Sequence, residues 1–72
     1  MNFIKITHVS RGETKKAWVN KDKIIYIEPY EGDSNDPTRT LILVEDIGSP
    51  FFVAETCDDV FLKIELANKK EL

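Results

Sequence analysis

The sequence predicts an α+β domain: about five antiparallel strands forming a twisted sheet, with one C-terminal helix packed on it. Three observations lead there. Stretches alternating between apolar and polar residues, rich in β-branched side chains, recur from residue 3 to residue 55. Polar clusters of turn-forming residues separate these stretches. Beyond Thr56 the apolar spacing changes from period two to a helical period. The alternative is a small SH3-like or Sm-like barrel capped by the helix, in which the edge strands would vanish.

Residues 3–9 form the first expected strand, with Ile4, Ile6 and His8 on one face and Phe3, Lys5, Thr7 and Val9 on the other. Ser10-Arg11-Gly12-Glu13 turns the chain, because Gly12 takes a positive φ without steric cost. The second strand, residues 14–19, places Ala17 and Val19 opposite Lys16 and Trp18. Asn20 suits the cap of a single helical turn over Lys21-Asp22-Lys23. The third strand spans residues 24–30, with Ile25 and Ile27 opposed to Ile24, Tyr26 and Glu28. Pro29 cannot donate to a ladder and belongs at a strand end or an edge. A polar loop precedes the fourth strand, residues 39–45, where Leu41 and Leu43 oppose Thr40, Ile42 and Val44. Asp46-Ile47-Gly48-Ser49-Pro50 turns into the fifth strand, residues 51–55.

The helix is expected over about residues 57–68. Thr56 is a good N-cap with Asp59 three residues on, and Asp58 and Asp59 complement the positive end of the helix dipole. Lys69 and Lys70 favour its C-terminal end. At about 100° per residue, Cys57, Val60, Phe61, Ile64 and Ala67 make one stripe, expected to cover the sheet. Leu62 and Leu66 lie on the opposite side. One sheet covers one stripe, so these two leucines are the expected contact with a second subunit or another protein.

Seventy-two residues make one small domain, 1–72, with a marginal core. Domains of this size generally need a disulfide, a metal or a partner subunit. One cysteine and one histidine leave no internal disulfide and no Cys/His metal site. Oligomerisation is therefore expected. No apolar run reaches a membrane span, and the N-terminus lacks the basic start and apolar block of a signal peptide, so a cytoplasmic location is expected.

Charge is distributed unevenly. Residues 1–23 carry six basic and two acidic side chains, net +4; the remainder carries four and eleven, net −7. A basic strip of Lys15, Lys16, Lys21 and Lys23 beside Trp18 is the alternative functional surface, one that would meet nucleic acid.

The sequence offers little chemistry. His8 has no neighbouring acid or nucleophile to orient it, and Cys57 is opposed by Asp58 and Asp59. Asp33-Ser34-Asn35-Asp36 lacks the glycine and the bidentate glutamate of a calcium loop. With no glycine-rich phosphate loop, no catalytic residues, no metal site and no cofactor are expected. The chain reads as a non-enzymatic protein-interaction module.

Ile6-Thr7, Arg11-Gly12, Ala17-Trp18-Val19-Asn20, Ile24-Ile25-Tyr26-Ile27-Glu28, Thr40-Leu41-Ile42-Leu43, Gly48 and Val53-Ala54-Glu55-Thr56, leading to a helix with Val60 and Ile64, resemble the short flagellar FlbD-type proteins in their order. The resemblance covers residues 3–64 and implies little chemistry. The segment from Val19 to Glu28 is also similar to part of LytTR-type DNA-binding domains. That second resemblance implies basic loops touching DNA, whereas the loop between Tyr30 and Arg39 is long and acidic.

Overall fold

In a computed structural model, described here over residues 2–70, five strands and one α-helix follow the expected order. They are β1 (Phe3–Ser10), β2 (Glu13–Asn20), β3 (Ile24–Pro29), β4 (Thr40–Val44), β5 (Phe51–Val53) and α1 (Cys57–Lys70), with a 3-10 turn at Lys21–Lys23. All pairings are antiparallel, in one open sheet of order β2-β1-β5-β4-β3. The fold is α+β, and the closed-barrel alternative does not form.

Sequence order explains why the sheet curves. Each strand neighbours its predecessor except β3, which follows β2 yet lies at the other end of the sheet. The three-residue turn joining them reaches only about 10 Å. The sheet must therefore curl to bring the end of β2 near the start of β3, and no ladder joins those two strands. Asn20 caps the turn by accepting the Asp22 N–H at 2.9 Å.

The core forms where the faces converge. Ile4, Ile6, Val19, Ile42, Val44 and Val53 meet Val60 and Ala67 of the helix, with Ala17, Ile24, Ile27, Phe51 and Ile64 packed around them. The helix packs chiefly on β1 and β3. Thr56 Oγ1 accepts the Asp59 N–H at 3.2 Å, as an N-cap does.

Several expectations are corrected. β5 stops at Val53 instead of residue 55, because Glu55 turns its carboxylate onto Thr7 instead of continuing the ladder. β4 loses residues 39 and 45, and α1 extends to Lys70. A β-bulge between Ile24 and Tyr26 breaks the expected alternation and puts Ile24 on the same side as Ile27. Ile24 joins the core, while Ile25 is 63% exposed. Phe61 is also mainly exposed, since it flanks the core stripe beside β3 instead of lying on it.

Candidate functional site

The two leucines singled out on the helix stand in solvent, Leu62 at 53% and Leu66 at 49% exposed. Phe61 precedes them on the helix and, together with Ile25, Ile27 and Ile64, lines a shallow groove between α1 and β3. The bulge that exposes Ile25 thus adds an apolar side chain on the far wall of this groove. Phe61 was not legible as a surface residue because it fell on the stripe expected to cover the sheet, and the exposure of Ile25 follows from a bulge that the sequence does not mark.

The proposed basic strip does not come together. Lys16 and Trp18 project from the outer face of the β1–β2 hairpin. Lys15 pairs with His8 and therefore belongs to the opposite face. The Lys21 side chain is 4% exposed, with Nζ 3.0 Å from Asp22, so it cannot reach a polyanion. Lys23 is half exposed and lies 3.9 Å from Glu45. Lys16 Nζ donates to Thr7 Oγ1 at 2.9 Å, and Thr7 is itself bonded to the Glu55 carboxylate. What remains around the exposed Trp18 ring is Lys16 and Lys5, whose Nζ lies 5.6 Å from the ring centroid. Lys5 escaped the sequence reading because its proximity to Trp18 depends on strand register.

A second cleft, of about 230 Å³, lies between the β1–β2 hairpin and the end of β4. Ile6, Ala17, Val19, Val44 and Phe51 make its apolar surface, while His8, Asn20 and Lys23 are its polar residues. His8 meets the Phe51 ring edge-on at 5.5 Å. No residue of α1 lines this cleft.

Elsewhere the polar groups serve the fold. Cys57 is partly buried, and its sulfur accepts the Thr40 hydroxyl at 3.6 Å. The loop after β3 folds on itself: Asp36 Oδ1 accepts the Thr38 N–H at 2.9 Å, and that backbone bond is the main cause holding the Asp36 carboxyl below its ordinary range. The Tyr26 hydroxyl donates to Glu28 at 3.0 Å, which raises its pKa. Among the described residues, no three His, Cys, Asp or Glu side chains converge on a possible metal position. No helix among them is long and apolar enough to cross a membrane. The chain matches no family model, no curated protein and no solved structure.

Proposed function

We propose that this protein is a non-enzymatic interaction module that associates with a second copy of itself through the outer face of α1. The observation that carries the reading is Leu62 and Leu66, about half exposed on the face of α1 turned away from the sheet, with Phe61 and Ile25 exposed at its β3 flank. Full burial of a large apolar side chain contributes roughly 1.5–3 kcal/mol. Two half-exposed leucines from each copy, four in all, therefore supply only about 3–6 kcal/mol on closure. Association itself costs about 4–15 kcal/mol, so the dimer is expected to be weak and concentration-dependent.

The test is the solution mass by light scattering after gel filtration, at a low and a high micromolar concentration. Mass should rise with concentration for the native chain and stay monomeric for Leu62→Glu. Leu62 is exposed, so the substitution spares the core. A monomer at both concentrations, or an assembly indifferent to Leu62→Glu, would sink the proposal.

The competing reading, a nucleic-acid-associated regulator, now rests on Trp18 flanked by Lys5 and Lys16. It requires single-stranded DNA or RNA to bind with affinity that falls steeply as salt rises. Absence of binding at low salt ends it.

A further inference from the structure

The two edges of the open sheet are not equivalent. In an antiparallel ladder, opposed residues alternate between those bonded to each other and those turned away. Thr7 accepts the Ala54 N–H at its carbonyl and gives its own N–H to Glu55, so its backbone faces β5. Its partner across β1–β2 is Lys16. Lys16, and with it Thr14 and Trp18, therefore points N–H and C=O away from β1, along the free edge. The same parity on β3, set by the Tyr30 N–H bond to the Arg39 carbonyl, turns Ile27 and Pro29 outward. Pro29 has no donor and the bulge at Ile25 breaks the spacing, so the β3 edge is blunted. β2 is eight residues long with neither device.

The apolar cleft lies along this edge, which carries lysines but neither a proline nor a bulge. Ala17 and Val19 face inward and Trp18 and Asn20 outward, yet all four line it. Four consecutive residues of β2 thus border the cleft, which follows the second half of that strand. A strand added there could satisfy the outward groups of Thr14, Lys16 and Trp18 and drop alternate side chains into the cleft. Charge decides what that strand is. Lys15 and Lys16 lie on β2, with Lys23 in the cleft. A second β2 paired at Lys15 or Lys16 would set lysine against lysine, and Glu13 is the one acid on this strand.

We propose that the free edge of β2 binds an extended, acidic peptide segment of another protein by strand addition, with apolar residues at alternate positions anchoring in the cleft. This surface is separate from the α1 face, so the two proposals fail independently.

The probe is acetyl-Glu-Leu-Asp-Phe-Glu-Val-Asp-amide, added to the full chain. Trp18 is the only tryptophan and reports binding by fluorescence. A saturable blue shift that weakens with salt is expected, together with new protection of the Lys16 and Trp18 amides from hydrogen exchange. Lys16→Pro removes one outward donor and should weaken binding at least about tenfold, equivalent to about 1.4 kcal/mol. Lys16→Gln keeps that donor but removes one charge, so it should weaken binding less than Lys16→Pro and flatten its salt dependence. If the proline variant does not fold, amide protection in the native chain still decides. No binding at low salt overturns the proposal. So does equal binding by a peptide with lysines in place of its acids, or binding without amide protection. A self-assembly abolished by Lys16→Pro but not by Leu62→Glu would give the edge to a second copy and overturn it too.

Discussion

Glu55 holds the end of β5 to β1. Its carboxylate accepts the Thr7 N–H at 2.8 and 3.0 Å and the Thr7 hydroxyl at 2.9 Å. Burial acts to raise its pKa, but the Thr7 bonds, aided by Lys63, hold it below its ordinary value. A carboxyl lowered on folding stabilises the fold above its unfolded pKa, about 4.5 here, and that contribution is lost as pH falls through the lower folded value. Solvent reaches the group, so the charge contributes modestly. Glu55→Gln keeps one acceptor oxygen and removes the charge; it should cost about 1 kcal/mol at neutral pH. Its unfolding midpoint in urea should also fall less between neutral pH and the acid range than that of the native chain. Equal acid sensitivity in both would show that Glu55 does not set it.

At the level of elements, the β1–β2 turn carries a removable strain. Arg11 and Gly12 both have positive φ, 52° and 80°, between paired Ser10 and Glu13. This is the geometry that favours Asn-Gly in two-residue hairpins. A left-handed backbone costs an ordinary L-residue about 1–2 kcal/mol, and asparagine less. Arg11→Asn should stabilise by about 1 kcal/mol and raise the melting temperature by about 4–8 °C in a domain this small. A calorimetric scan showing no rise would mean that Arg11 gains compensating contacts. Much of this hairpin was legible, because its alternation is regular and Gly12 marks the turn. The bulge in β3 was not. Ile24-Ile25-Tyr26-Ile27 is apolar throughout, so no alternation says where an extra residue enters. The helix start was legible from Thr56 and Asp59, whose capping bond forms. Phe61 was misplaced because apolar spacing locates a stripe but not its flanks. Leu62 and Leu66 were legible, being alone on their side of the helix.

For the whole molecule, composition and period were enough to anticipate a sheet with a helix, but not the order of strands. That order creates the free edge, the cleft and the burial of Lys21, none of which is a property of a local segment. It also governs how the chain assembles. Every neighbouring pair of strands is also consecutive in sequence, except β1 with β5, which share one ladder pair, His8 with Val53. Their further ties include the Thr7–Glu55 bonds, spanning 48 residues. The β1–β2 hairpin and the β3–β4–β5 meander can therefore each form from nearby contacts. Only their junction requires a long loop to close, the entropic step that slows folding. This topology predicts two halves that form first and are then sutured together. Stopped-flow refolding should show Glu55→Gln slowing the folding limb, while Arg11→Asn acts by holding its own half together. If Glu55→Gln changed only the unfolding limb, the suture would form after the barrier.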